Sequence, residues 1–203
     1  MKILSLLSGL VLGILASGPA FAAQPPAAPA APAAPTAPPA QPEVKNIGDW
    51  LVRCYPAQSQ SPCDMYQQQN DAKSQQRVLA VSIAYIPRLD KHAIQISVPL
   101  GVSIPRGLVL QAGTYNSPVF PYRRCDRTGC YVEMLIDNTT IDQLNHGGSD
   151  ALIKVTADDG KNYQLKLSLN GFTAAHDSMA EQAKAKAKAP PEAAAASNPP
   201  AKK

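Results

Sequence analysis

The chain has 203 residues, including 20 Pro, 12 Gly and 4 Cys, and carries a formal net charge of +4. From Ile47 to His176 there are 12 Lys plus Arg against 11 Asp plus Glu, so the central part is near neutral. It therefore lacks the basic field that nucleic-acid binding needs, and no nucleic acid is expected as a partner.

Lys2 precedes an apolar run from Ile3 to Ala16, and Ala20-Phe21-Ala22 places small residues where a signal peptidase reads them. Residues 1–22 are therefore read as a signal peptide cleaved after Ala22. The run falls short of the roughly 20 apolar residues that a membrane-crossing helix needs, which argues against the alternative of an uncleaved anchor. A soluble periplasmic protein is expected, or one that is secreted or associated with the outer membrane.

Residues 23–46 open as an almost pure Pro/Ala stretch, which cannot bury a core and favours an extended spacer. A solubilising leader without a partner explains that composition equally well.

A single domain is assigned to residues 47–177, long enough for one core. Gly48 to Tyr55 reads as a first strand with Trp50, Val52 and Cys54 on one face. Arg77 to Ile86 alternates cleanly, with Leu79, Val81, Ile83 and Tyr85 together, and Ile94, Ile96 and Val98 repeat the pattern. Leu108 to Leu110 is a short strand between turns. Val119 to Arg124 and Tyr131 to Ile136 form the arms of a hairpin around Cys125-Asp126-Arg127-Thr128-Gly129-Cys130.

Asn138 to Asn145 is a short helix, with Thr139 and Asp142 as its capping pair. Ala151 to Ala157 and Asn162 to Leu169 flank an Asp158-Asp159-Gly160 turn as a second hairpin. Thr173 is placed to cap a helix running to about Lys188. Many short runs cut by Gly and Pro argue for an all-β, single sandwich or barrel-like antiparallel domain, with one short helix and a C-terminal helix. Residues 178–203 are read as a tail, helical and then disordered, whose Lys residues offer a weak contact to anionic surfaces.

Four cysteines in an exported chain point to disulfides, and three pairings are open. The two local ones, Cys54 with Cys63 and Cys125 with Cys130, are favoured because short closures form easily. Zinc is a rival, but the gap between Cys54 and Cys63 fits the usual ligand spacing poorly.

The sequence holds no nucleophile elbow, phosphate loop or His-Glu-x-x-His zinc motif. His92, His146 and His176 are expected to be exposed, in a turn, at a helix end and at the start of a helix. No cofactor, metal or catalytic residue is assigned, and an enzyme is not expected. Arg123, Arg124 and Arg127 concentrate charge on the clipped hairpin. Neighbours on a strand point to opposite faces, so Arg123 and Arg124 are not expected to serve one ligand. Arg127, at the turn, remains the one candidate interaction residue.

Gly48-Asp49-Trp50 leading into Arg53-Cys54, the second Cys at 63, Val98-Pro99-Leu100-Gly101, Cys125 with Gly129-Cys130, and Leu169 to Phe172 followed by Ala174-Ala175 together resemble the invasion-associated locus B family of bacterial exported proteins. The resemblance covers about Ile47 to Asp177. It implies an exported protein of Gram-negative bacteria, linked in some pathogens to host-cell invasion, and supplies no catalytic mechanism or binding residue. The expected function is an exported envelope or secreted interaction protein that binds an envelope or host-surface protein or polymer without turnover. An envelope hydrolase of unknown substrate is the alternative.

Overall fold

The computed structural model describes residues 41–55 and 59–188. The proposed signal peptide, most of the Pro/Ala segment and the last part of the Lys/Ala tail lie outside these residues.

Eleven strands divide between two antiparallel sheets. In chain order they are β1 (Glu43–Ile47), β2 (Trp50–Cys54), β3 (Cys63–Asn70), β4 (Arg77–Ile86), β5 (Lys91–Val98), β6 (Leu108–Ala112), β7 (Tyr115–Asn116), β8 (Arg124–Asp126), β9 (Gly129–Ile136), β10 (Asp150–Thr156) and β11 (Asn162–Ser168). A seven-stranded sheet runs β1-β2-β3-β4-β5-β9-β8, and a four-stranded sheet runs β11-β10-β6-β7. Two helices complete the domain, α1 (Asn138–Asn145) and α2 (Phe172–Lys188). The strands thus form two sheets and do not close into one barrel, and α2 packs on β2, β3 and β4.

The period-two alternation in the sequence becomes the core. Trp50 and Val52, Leu79, Val81 and Ile83, and Ile94, Ile96 and Val98 all face inward, where they join Leu110, Ile153 and Leu167 of the smaller sheet in one buried cluster. At about 25 cal/mol per Å² of apolar surface, each such side chain contributes roughly 1.5–3 kcal/mol on burial.

Two polar devices join the sheets. Gln67 of β3 is buried, and its amide donates to the carbonyls of Asp49 and Ser168 at 3.2 and 3.1 Å while accepting from the Ser168 N–H at 2.9 Å. Trp50 Nε1 donates to the same Ser168 carbonyl at 3.1 Å, and its ring meets Phe172 edge-on at 5.4 Å. Beside them Gly48 and Gly171 touch backbone to backbone, both at positive φ. A Cβ on Gly48 would lie 2.4 Å from the Asn170 carbonyl oxygen. No larger residue fits that contact, so the Gly48-Asp49-Trp50 and Asn170-Gly171-Phe172 segments form one clasp.

The structure moves both ends of the expected domain. Residues 43–46, assigned to the linker, are part of β1, which pairs along its length with β2. Its residues are almost all exposed, so no apolar alternation marks it. At the other end, Met179 and Ala183 of α2 are fully buried, so the domain continues past Asp177. Small Ala side chains on that face supply little hydrophobic signal while allowing the helix to lie close to the sheet.

Three local expectations also change. The hairpin arm expected over Val119 to Arg124 is the shorter β8, and the residues before it contribute a bridge between Phe120 and Leu108 and a bond from the Arg123 N–H to the Tyr131 carbonyl at 2.8 Å. α1 has the expected bounds, but Asp137 caps it, accepting from the Thr140 N–H at 3.0 Å. Thr173 does not cap α2. Its hydroxyl donates to Asn145 of α1 at 2.9 Å.

Candidate functional site: an arginine cleft at the clipped hairpin

Cys54 is bonded to Cys63 and Cys125 to Cys130, each pair joining directly opposed residues of adjacent antiparallel strands. Among the described residues no group of three or more His, Cys, Asp or Glu is arranged to hold a metal.

The Cys125–Cys130 hairpin is seated on the end of β5. Gly129 has φ of 145°, and a Cβ there would stand 2.4 Å from the Val98 carbonyl oxygen, so only glycine allows this approach. Within the turn, Asp126 accepts from the Thr128 N–H at 2.8 Å and the Thr128 hydroxyl at 2.6 Å. The same hydroxyl lies 2.5 Å from that of Tyr131. These Thr128 bonds hold the Asp126 carboxyl below its ordinary pKa. Arg124 pairs with Asp126 at 2.5 Å and lies 3.9 Å over the Tyr131 ring.

Next to this turn lies an open cleft of about 530 Å³ lined by Gln76, Arg77, Pro99, Leu100, Arg127, Thr128 and Tyr131. Three separate parts of the chain supply it: the start of β4, the segment after β5, and the hairpin. Arg77 reaches across to donate to the Thr128 carbonyl at 3.3 Å. The lining holds two guanidinium groups and no carboxylate, and among the described residues neither Arg77 nor Arg127 forms an ion pair.

Arg123 and Arg124 do not diverge as the strand pattern implied. Both reach Glu133, Arg123 at 3.8 Å and Arg124 at 3.2 Å, because the two long side chains converge on one carboxylate across β9. They are thereby partly neutralised, whereas Arg127 is not. The structure brings Arg127 to the same cleft as Arg77, a neighbour that the sequence could not supply without the register of four strands.

A second concavity of about 500 Å³ lies on the outer face of the large sheet, floored by Ser82, Ala84 and Ala93. Its charges are internally satisfied. Asp64 is held by Arg53 and by the Ser82 hydroxyl at 2.7 Å, and Glu133 by Arg124 and by Gln95 at 2.9 Å. An ionic ligand would have to break these contacts, so the arginine cleft is the better recognition site.

The histidines are distributed differently from the expectation. His92 is on β5, faces inward and is 3 % exposed. Its Nε2 lies 2.9 Å from Nε2 of His176 on α2, whose Nδ1 lies 3.1 Å from the Asp177 carboxylate. Donation from His176 Nδ1–H to Asp177 leaves His176 Nε2 as the acceptor, so His92 donates through Nε2–H. Burial, reinforced by neighbouring His176, pushes the His92 pKa down to about 4. A carboxylate–imidazole–imidazole row can orient a base, but here its last member faces the core. Among the described residues no Ser, Thr or Cys nucleophile is bonded to it.

Comparison with known proteins gives a consistent result. The family model described as invasion associated locus B (IalB) protein matches residues 50–180. Invasion protein B homologues from two strains of Brucella abortus, strain 2308 and biovar 1 strain 9-941, are each 25% identical over 129 residues, which is 64% of this chain and 74% of theirs. The crystal structure of invasion associated protein B from Bartonella henselae is similar in fold, with a TM-score of 0.61 at 20% identity, covering 70% of this chain and 99% of that one.

Proposed function

Since the chain belongs to the invasion associated locus B family, we propose that it is an exported envelope or secreted protein that binds a partner without turnover, and that the arginine cleft is where binding occurs. The observation that carries this reading is the pair of guanidinium groups facing an open cleft that contains no carboxylate. Both arginines are exposed, and their guanidinium groups suit an anionic ligand that supplies the missing counter-charge. The hairpin is pinned by its disulfide and by Gly129 against Val98. Little order is then lost on association.

Export rests on the leader ending at Ala22 and on four cysteines all engaged in disulfides. In this reading the protein is periplasmic, or secreted and associated with the outer membrane, its partner is an envelope or host-surface protein or polymer, and the Lys-rich end of α2 adds a weak contact to anionic surfaces. The alternative, an envelope hydrolase, would draw on the Asp177–His176–His92 row, which is turned toward the core.

Affinity capture from envelope extract with the exported full-length chain, run beside a hydrolase substrate panel, tests the proposal. A saturable partner and no turnover are expected. Turnover that survives stringent purification, with no partner recovered, would overturn it.

A further inference from the structure

The cleft adjoins an unused sheet edge. β8 is the last strand of the seven-stranded sheet, bonded on one side only to β9, and its three residues Arg124, Cys125 and Asp126 are exposed. Arg127 of the cleft follows it directly, and Arg123, 72 % exposed at the side chain, precedes it. Arg123 to Asp126 runs roughly 10 Å along this edge at about 3.3 Å per residue, and Arg127 opens the turn at its end.

From this continuity we infer that the site takes an acidic, extended segment of a partner protein, which adds to the β8 edge and brings a Glu or Asp carboxylate to Arg127, at the mouth of the cleft that Arg77 also lines. This deepens the proposed function and depends on it. Main-chain pairing to an open edge gives affinity that is indifferent to sequence, and side-chain contacts at alternate positions supply the choice of partner. The guanidinium fork matches a carboxylate with two parallel hydrogen bonds. Pro99 and the 56 % exposed Leu100 give the cleft an apolar wall for the aliphatic stem of Glu. A second carboxylate further along the segment would meet Arg123, whose contact to Glu133 is long at 3.8 Å. A free phosphate or an anionic polysaccharide could use the two arginines but has no use for the strand edge, so the edge selects a peptide.

The probe is a fluorescein-labelled, amidated peptide of alternating Glu and Val, seven residues long, titrated into the full-length protein. Anisotropy gives affinity, and backbone amide shifts locate the contact. Saturable binding is expected, with shifts at Cys125, Arg127 and Thr128, about tenfold weaker in Arg127→Gln and weaker again when Arg77→Gln is added. The same peptide with Gln in place of Glu should bind at least tenfold more weakly.

Arg127 is at an exposed turn, so its substitution leaves the fold intact, and a native circular dichroism melt checks this. Equal affinity for the Gln peptide, shifts that avoid β8, or unchanged binding in Arg127→Gln would each overturn the inference. So would inorganic phosphate or polygalacturonate shifting Arg127 and Thr128 when the peptide does not. If the Arg77→Gln/Arg127→Gln chain still captures its envelope partner, the inference falls while the proposed function stands. If the wild-type chain captures none and shows turnover, the proposed function falls.

Discussion

Acidification should loosen the domain through His92, and the size of the effect can be worked from its surroundings. Tyr85 lies across from His92 on the neighbouring strand, with His176 and Lys184 near it on α2, Asn138 at the start of α1, and Asp90 beyond. Burial and the neighbouring imidazole outweigh the favourable effects of Asp90 and Asn138, and the pKa falls from 6.5 to about 4. The unfolded chain therefore takes up the proton more readily than the folded one. The associated stability is fully present above pH 6.5 and drains away as the pH falls toward 4.

At about 1.4 kcal/mol per pH unit the whole effect is about 3 kcal/mol, of which about 2 kcal/mol is gone by pH 5. Urea unfolding at pH 7, 6, 5 and 4 should show this loss in the wild type, and His92→Phe, which keeps the volume and removes the proton site, should flatten it. The exposed carboxylates of Asp71, Asp126, Asp150 and Asp159 are held below their ordinary value by hydrogen bonds, so they contribute little above pH 5. A wild type and His92→Phe with the same pH slope between 7 and 5 would refute the reasoning, as would an NMR titration placing His92 near 6.5.

Other outcomes are expected from the packing. Truncation after Asp177 should cost at least 3 kcal/mol in chemical denaturation, since it removes Met179 and Ala183 from the core. Gly129→Ala should lower stability by about 1–3 kcal/mol, because its Cβ would collide with the Val98 carbonyl and its φ disfavours any side chain; a thermal melt indistinguishable from wild type would contradict the seating of the hairpin on β5. Gln67→Leu should cost about 1–3 kcal/mol by leaving the Ser168 N–H without its acceptor; a urea midpoint equal to that of the wild type would contradict the bond.

The core strands were legible because burial on one face of a sheet imposes a two-residue period. Leu79, Val81, Ile83 and Tyr85 carry it, and so do Ile94, Ile96 and Val98. That same phase extends back to His92, so the buried histidine had a signal in the alternation, although the expectation of an exposed His92 passed over it. β1 had none, since Glu43, Val44, Lys45 and Asn46 are exposed and only backbone pairing makes them a strand. α2 was expected to run to about Lys188, as it does, but the domain was ended at Asp177 because Ala buries little area and leaves a weak amphipathic pattern. The cleft was half legible. Arg127 stood out at a tight turn, but Arg77 is 50 positions earlier and meets it only once β4, β5, β9 and β8 are in register.

The polar joint at Gln67 also bears on the order in which the domain can form. Its three hydrogen bonds depend on Asp49 and Ser168, and the Trp50 indole waits on the same Ser168 carbonyl, 118 positions away along the chain. Until β11 arrives, β2 and β3 bring two polar groups into an apolar interior with their main acceptors missing, so the first half of the domain gains little by closing early. Loop closure on that scale is slow. In an export route of the kind proposed above, the domain would thus stay open until its last hairpin arrives, while the local disulfides join strands that are already adjacent.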